Sequence, residues 1–290
     1  MRTLNIIGAG RLGQTLAALW HRRGVFAIGG ILNRQTASAT RARAFIGAGT
    51  VIDTLHAMPP AEIWLLAVPD DRIEATATAL APIFQTQAAH PLVFHCSGAL
   101  PAAVLTHCGE ANLASAHPVH SFADPRRSLT DLPGATVALE GAPQGVKVLE
   151  SAFLALDCRC IHLSPEQKVL YHAGSVMACN YLTVLLEQSL QLFDAAGIDR
   201  ETAMRLLEPI VLQTARNNFA LGPEQALTGP LVRGDLATVA RQLSALQHAS
   251  PETERLYRTL GLAALPLAKK TGLSEDALRQ LQTILDEPLS

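Results

Sequence analysis

The sequence predicts an α/β protein of two domains, in which a mostly parallel sheet covered by helices is followed by an all-helical domain. Three observations favour this fold class. Short apolar runs alternate with helical stretches over roughly the first 160 residues, a glycine-rich turn joins the first strand to the first helix, and strand signals stop at Ser164. The 290 residues, 49% of them hydrophobic, suffice for two buried cores. We therefore expect a first domain over 1–163 and a second over 164–290.

The predicted elements of the first domain follow from apolar runs of strand length and from amphipathic stretches between them. Strands are predicted at 4–7, 26–32, 62–68, 92–96, 113–116 and 135–139, with 158–163 as a further candidate. Helices are predicted at 12–23, 37–46, 71–84 and 142–156. Strands that alternate with helices in this way are typical of a parallel sheet with helices on both faces.

The second domain is predicted to open with an unusually long helix. Ser164 can cap it, Pro165 suits its first turn, and Gln167 stands three residues after the cap. With its stop at Gly197 the helix has about 32 residues, roughly 48 Å, a length that suits the spine of a helical domain or dimer. Further helices are predicted at 200–220, 235–247, 251–270 and 274–287.

Composition narrows the class of protein. The net charge of −2 gives no general attraction to nucleic acid or to an anionic membrane. The longest uncharged apolar run, 173–186, is shorter than the roughly 18 residues a membrane span needs and contains Asn180. Five cysteines without regular spacing indicate free thiols. We expect a cytoplasmic protein that acts on a small molecule.

The motif Gly8-Ala9-Gly10-Arg11-Leu12-Gly13 follows a strand and opens a helix. Gly8 permits the tight turn, Gly10 lets the backbone approach a pyrophosphate, and Gly13 lets the helix pack against the strand. The helix N-terminus at Arg11 and Leu12 offers free N–H groups to that pyrophosphate. A glycine turn without a nucleotide is the alternative.

The end of the second strand bears on the choice between NAD and NADP. An NAD enzyme usually places Asp or Glu here for the ribose 2′-hydroxyl, and residues 24–37 contain neither. Asn33, Arg34, Thr36 and Ser38 stand there instead. A guanidinium and hydroxyls suit a 2′-phosphate, so the predicted cofactor is NADP(H). The alternative is that Arg34 is a solvated loop charge.

Later strand ends carry further candidates, because ligands in an open α/β sheet bind at the carboxyl ends of its strands. Val68 and Pro69 end one strand and can contact the cofactor, while Asp70 can cap the next helix. Ser97, in a Ser-Gly turn, either meets the nicotinamide end of the cofactor or serves only the turn.

His117 and His120 follow another strand and can exchange protons near neutral pH, although a loop histidine is commonly only a hydrogen-bonding residue. Cys158, Cys160 and His162 alternate along a predicted strand and superficially resemble a ligand set. With no fourth ligand in evidence, alternation on a buried face explains them, and no metal is predicted.

Two features of the second domain suggest a substrate site. His172 and Asn180 share a polar stripe on the long helix with Ser175 and Cys179, a stripe that either satisfies core hydrogen bonds or faces a cleft. Arg233, in a turn rich in glycine and proline, can bind a carboxylate or phosphate or belong to a structural turn.

With these residues in view, the chain resembles Rossmann-like proteins that carry a C-terminal domain of unknown function, DUF2520. These are similar to coenzyme-F420-dependent NADP oxidoreductases, pyrroline-5-carboxylate reductases and the 6-phosphogluconate dehydrogenase superfamily. The segments that carry the resemblance span both domains and are 6–13, 95–100, 117–125, 171–182 and 228–235.

The resemblance implies a homodimer through the helical domain and an active cleft between the domains. β-Hydroxyacid dehydrogenases of the superfamily have a catalytic Lys four residues before an Asn; if Asn180 is that Asn, Val176 stands in the Lys position. We therefore expect an NADPH-dependent reductase of a small carbonyl or imine. His117, His120 or His172 would handle the proton, Arg233 would anchor the substrate and Asn180 would orient it. A regulatory or scaffold protein that binds NADP(H) without turnover is the alternative.

Overall fold

The computed structural model describes residues 1–87, 90–109 and 111–286. In this part of the chain the strands form one eight-stranded sheet in the order β3-β2-β1-β4-β5-β6-β7-β8. The strands are β1 Arg2–Ile7, β2 Phe26–Leu32, β3 Thr50–Ile52, β4 Ile63–Leu66, β5 Leu92–His95, β6 Asn112–Pro118, β7 Thr136–Gly141 and β8 Arg159–His162.

The helices follow in chain order. In the first part of the chain they are α1 Arg11–Arg22, α2 Thr36–Ile46, α3 Asp70–Gln87, α4 Pro125–Asp131, α5 Pro143–Leu154 and α6 Gln167–Ser175. Later come α7 Tyr181–Ala195, α8 Arg200–Leu221, α9 Pro223–Ala226, α10 Leu236–Ala249, α11 Pro251–Lys270 and α12 Glu275–Asp286. Short 3₁₀ helices span Leu55–Ala57 and Ala102–Cys108, and Val176–Asn180 is π-helical.

The sheet is parallel except where β6 and β7 run antiparallel. The predicted class, a mostly parallel sheet followed by helices, is confirmed. Strand order reverses at β1, because β2 lies on one side of it and β4 on the other. Such a switch point leaves a crevice at the carboxyl ends of the strands, where α/β proteins bind their ligands.

Apolar residues cover both faces of the sheet, which explains why its strands read as continuous apolar runs. On one face α1, α2 and α5 pack around Trp20, whose ring meets Phe26 and Phe153 edge to face with centroids 5.3 and 5.2 Å apart. Its indole N–H donates to the carbonyl of Ala152, so this buried polar group is satisfied. On the other face α3 and the 3₁₀ helix Ala102–Cys108 cover Trp64.

Two elements of the first domain were not predicted. Strand β3 has only three residues, too few for a periodic signal. Helix α4 has seven residues but begins with a readable start: Asp124 accepts a hydrogen bond from the backbone N–H of Arg126 at 2.8 Å, and Pro125 follows the cap.

The chain divides into two compact units, Met1–Ala178 and Cys179–Ser290, whereas the sequence placed the boundary after residue 163. Residues 164–178 belong with the sheet because α6 is tied to it. The fully buried Lys168 donates from Nζ to the hydroxyl of Ser115 on β6 at 2.6 Å and to the carbonyl of Ser97 at 3.2 Å.

The second unit is helical, and its core contains Val239, Leu243, Leu281 and Leu285. The long predicted helix is present as Gln167–Ala195, with the π-helical turn inside it. By length and composition alone, this stretch is apolar enough to cross a membrane, and its most apolar part is unburied. The uncharged-run criterion missed this stretch because it admits no charged residue.

Candidate functional site

The glycine-rich turn leaves an open cradle at the start of α1. Gly8 has φ +89°, and a Cβ there would stand 2.6 Å from the carbonyl oxygen of Ala67. A Cβ on Gly13 would stand 2.8 Å from the carbonyl oxygen of Gly8, whereas one on Gly10 would meet no described atom within 4 Å. Helix α1 starts at Arg11 with no side-chain cap and no acidic residue in its first turn. Its N-terminal N–H groups and the space over Gly10 therefore fit a dinucleotide diphosphate.

Asn33 fixes this turn from the end of β2. Its Oδ1 accepts a hydrogen bond from the N–H of Ala9 at 2.6 Å, and its Nδ2 donates to the hydroxyl of Ser38 at 3.0 Å. Both ends of the amide are therefore engaged within the protein. Asn33 shapes the turn instead of presenting a free amide.

The region expected to recognise the 2′ substituent contains a carboxylate that the sequence argument missed. Arg34 is exposed and makes no hydrogen bond or ion pair with the described residues. The hydroxyl of Thr36 donates to the carboxylate of Asp53 at 2.9 Å. Asp53 follows β3, the short strand absent from the prediction, and β3 pairs with β2. The exposed cation Arg34 and the hydrogen-bond acceptor Asp53 thus follow the carboxyl ends of the neighbouring strands β2 and β3.

At the carboxyl ends of β4, β5 and β6, side chains meet in what we call the carboxyl-end cluster. It consists of Asp70, Ser97, Gly98, His117, Lys168, Tyr171 and His172. Val68 and Pro69 lie directly before Asp70, where β4 has ended. The cluster draws on three neighbouring strands and on α6, all within the first unit.

Ser97 organises the turn after β5. Its hydroxyl donates to Asp70 at 2.6 Å and accepts from the N–H groups of Ala99 and Leu100 at 3.2 and 3.0 Å. The buried His95 braces the same turn, since its Nδ1 accepts from the N–H of Ser97 and its Nε2 donates to the carbonyl of Pro101. Burial lowers the pKa of His95 to about 4, so it is neutral at pH 7.

Lys168 is the buried cation of the cluster. Burial lowers the pKa of its ammonium, while the carboxylates of Glu140 and Asp70 act in the opposite direction. Glu140, on β7, accepts a hydrogen bond from the N–H of Ala102 at 2.6 Å. Because the Lys168 ammonium bonds to the turn after β5 and to β6 at once, it fixes α6 against both strands.

Two of the predicted histidines come together. His117, near the end of β6, and His172, on α6, have ring centroids 5.6 Å apart at an interplanar angle of 84°. The hydroxyl of Tyr171 lies 2.9 Å from Nδ1 of His117. Burial, with smaller Coulombic effects of His172 and Lys168, lowers the pKa of His117 to about 4, while Asp70 acts in the opposite direction. Gly98 packs against both rings, since a Cβ there would overlap Nδ1 of His172 and approach Nε2 of His117 at 3.0 Å.

The other predicted residues take no part in these contacts. Nε2 of His120 bonds to the hydroxyl of Ser128 on α4 at 3.0 Å. Asn180 and Arg233 are exposed residues of the second unit. His162 pairs with Glu150 at 3.0 Å, and in the described ranges no three His, Cys, Asp or Glu side chains gather as a metal site requires.

Sequence reasoning missed Lys168 and Tyr171, although a signal was present. Lys168, Tyr171, His172 and Ser175 follow the spacing i, i+3, i+4, i+7 and share one face of the predicted helix. The predicted polar stripe begins at His172 and continues only toward the C-terminus. Extending it by one turn toward the N-terminus would have included both residues.

The fold and this site define a Rossmann-like protein, and residues 2–118 match the Rossmann-like domain family. Residues 135–264 match the family described as Domain of unknown function (DUF2520). The chain thus combines a Rossmann-like domain with a DUF2520 domain, as the resemblance implied. No curated protein sequence matches it.

Several solved structures share the fold over nearly the whole chain. A Bacteroides fragilis protein assigned as an NADP oxidoreductase is 21% identical with TM-score 0.76, covering 90% of this chain and 97% of its own. A pyrroline-5-carboxylate reductase of Coxiella burnetii is 18% identical with TM-score 0.57, covering 94% and 99%. An imine reductase of Myxococcus stipitatus, solved with NADP⁺, is 14% identical with TM-score 0.58, covering 98% and 93%.

Proposed function

We propose that the protein is a cytoplasmic NADP(H)-dependent oxidoreductase that reduces a small carbonyl or imine compound. The observation that carries this proposal is the open cradle over Gly10, with an uncapped helix N-terminus beneath it and the carboxyl-end cluster along the same edge of the sheet. Neighbours of the same fold include NADP-binding reductases of imines and of pyrroline-5-carboxylate, which supports this class of chemistry.

The cofactor, when bound, supplies a hydride to the carbon of the substrate double bond. The N–H groups at the start of α1, with Arg11 and Leu12, hold its diphosphate, and Arg34 pairs with its 2′-phosphate. Val68, Pro69 and the Ser97 turn border the nicotinamide end. The imidazoles of the cluster act on the oxygen or nitrogen of the double bond, which gains an electron pair and then a proton. We expect Arg233 to anchor an anionic end of the substrate and Asn180 to orient it.

Calorimetry with NADP⁺ and NAD⁺ tests the cofactor site. We expect Gly10→Val to abolish NADP⁺ binding without loss of thermal stability. Its Cβ would meet no described protein atom within 4 Å, and its side chain would occupy the space expected for the diphosphate. Gly13→Val is the matched contrast: its Cβ meets the Gly8 carbonyl, so it should lower the melting temperature. Failure of the folded wild-type protein to take up either dinucleotide would refute the proposal.

Oxidation of NADPH over a panel of oxo-acids, imines and flavin-type acceptors tests the activity. We expect His172→Ala to lower turnover by about 10²–10⁴-fold while NADPH still binds. Full activity in that variant would remove His172 from the reaction. Tight NADPH binding with no turnover on any acceptor would instead favour a regulatory or scaffold protein.

We also propose that the active protein is a homodimer formed through the helical unit. Helices α7 and α8 expose large apolar side chains, among them Tyr181, Ile210 and Phe219, the last of which is 94% exposed. A soluble protein rarely leaves so many such side chains in water, and a second copy offers the same surface in return. The prediction that substrate binds between the domains stays a prediction.

A further inference from the structure

The neighbours of His117 and His172 determine which ring nitrogen of each carries a hydrogen. A neutral imidazole has one N–H donor and one bare acceptor nitrogen, and the partner at one nitrogen selects the state of the other. In the described residues each of these rings has a defined contact at Nδ1 and no hydrogen bond at Nε2. The Nδ1 contacts therefore decide what the rings can offer to a ligand.

At His172 the contact is with the backbone of Gly98. Nδ1 of His172 is fully buried without a hydrogen-bond partner among the described residues. A Cβ built on Gly98 would overlap this nitrogen, so the hydrogen that glycine has in that direction points at it. A bare nitrogen can accept such a C–H contact weakly, whereas a hydrogen on Nδ1 would collide with it. This contact leaves Nδ1 of His172 bare and its hydrogen on Nε2.

At His117 the contact is with the phenol of Tyr171, 2.9 Å from Nδ1. Burial raises the pKa of Tyr171, so the phenol keeps its hydrogen, and no other described residue accepts that hydrogen. Leaving it unbonded would cost about 1–3 kcal/mol, so the phenol donates to a bare Nδ1. The hydrogen of His117 then lies on Nε2.

We propose that His117 and His172 present two Nε2–H donors, fixed by Tyr171 and Gly98, and that they receive the carbonyl oxygen of a ketone or aldehyde. Neither Nε2 atom is fully buried, so both remain accessible to a ligand. A carbonyl oxygen accepts hydrogen bonds through its lone pairs, whereas a protonated imine has only hydrogens to offer and is repelled by N–H donors. This choice of substrate rests on the proposed function, whereas the tautomers can be measured in the protein without cofactor or substrate.

The step that this arrangement assists is balanced as follows. When bound, NADPH would supply a hydride with its electron pair to the carbonyl carbon, and the π pair of the C=O bond would move onto oxygen. The two N–H donors stabilise the negative charge that develops there. A proton from solvent then completes the alcohol, and both imidazoles end the step neutral.

Nitrogen-detected NMR on protein labelled with ¹⁵N-histidine tests the proposal without cofactor or substrate. At pH 7 we expect His117 and His172 each to show an unprotonated Nδ1 and a protonated Nε2. A protonated Nδ1 on either ring, or a charged imidazolium, would overturn the inference. Tyr171→Phe removes the phenol and keeps the ring, so His117 should become a mixture of tautomers while His172 stays unchanged. His120, bonded to Ser128, is the internal control.

Enzyme kinetics provide the second test of the proposal. In an active protein we expect Tyr171→Phe to lower kcat in proportion to the fraction of His117 that leaves the Nε2–H tautomer, about twofold for an equal mixture, with KM little changed. Ketones or aldehydes should be reduced and preformed cyclic iminium salts should not. Reduction of the iminium salts alone would overturn the carbonyl assignment. The predicted tautomers in a protein that reduces nothing would leave the donors in place and refute the proposed function.

Discussion

At the scale of single residues, we expect cofactor choice to depend on the opposite charges of Arg34 and Asp53. The guanidinium favours a 2′-phosphate, whereas the Asp53 carboxylate, bonded to Thr36, favours a ribose hydroxyl and repels the phosphate. The stretch 24–37, which spans β2 and the residues after it, contains Arg34 and no carboxylate. The carboxylate comes from the next strand, so only the pairing of β3 with β2 brings it into consideration.

We expect Arg34→Ala to weaken NADP⁺ binding by about tenfold or more and to leave NAD⁺ binding unchanged, since a charge-assisted hydrogen bond contributes about 1.5–3 kcal/mol. Asp53→Asn should strengthen NADP⁺ binding relative to NAD⁺. Isothermal titration of both dinucleotides measures the two ratios. Arg41→Ala, on the exposed side of α2, is the control and should change neither. Equal losses for both dinucleotides in Arg34→Ala would contradict a role in reading the phosphate.

Some residues of the site can be identified from the sequence next to them, whereas others are brought together only by tertiary packing. Gly8, Gly10 and Gly13 could be assigned from the sequence, because a turn and a helix start are local. The pairing of His117 with His172 could not, because it depends on how α6 packs on β6. His120, equally plausible as a sequence candidate, turns to Ser128. Local sequence can nominate polar residues, but packing selects among them.

At the scale of elements, Lys168 holds α6 in register with the sheet and so places Tyr171 and His172. We expect Lys168→Met to lower the free energy of unfolding by about 2 kcal/mol, because the Ser97 carbonyl and the Ser115 hydroxyl lose a buried donor. Urea unfolding measures the change. Lys147→Met, at an exposed position of α5, is the matched control and should change stability by less than about 0.5 kcal/mol.

A second effect of Lys168→Met opposes this loss of stability, because removing a buried charge also removes its desolvation penalty. A Lys168→Met protein as stable as the control would show that apolar packing alone fixes α6. In that event the role of Lys168 would lie in the chemistry of the cluster and not in stability. The NADPH oxidation assay on the same variant then separates the two explanations.

Element boundaries were predicted well where caps are strong and poorly where elements are short. The limits of α11, Pro251–Lys270, follow from Ser250 as its cap, whose hydroxyl accepts a hydrogen bond from the N–H of Thr253. Strand β3 was missed because three residues have no period to detect. The π-helical turn Val176–Asn180 has no sequence signature either, and the division between the compact units falls inside it.

At the scale of the whole molecule, α7 and α8 expose an apolar surface. A second copy of the chain would bury it in a dimer, and a lipid bilayer would bury Gln167–Ala195 as a span. The Lys168 end of that stretch argues for the dimer, because its ammonium is bonded inside the sheet domain and could not enter a bilayer with the helix.

We therefore expect the protein to be dimeric in detergent-free buffer, and Phe219→Glu to make it monomeric, because a charge at a 94% exposed phenylalanine would be buried in the interface. Size-exclusion chromatography with light scattering over a range of concentrations measures both states. Leu154→Glu changes an exposed apolar residue of the sheet domain and should leave the dimer intact. A monomeric wild-type protein would contradict the dimer, and partition of the wild type into the membrane fraction would show that lipid covers the helix instead.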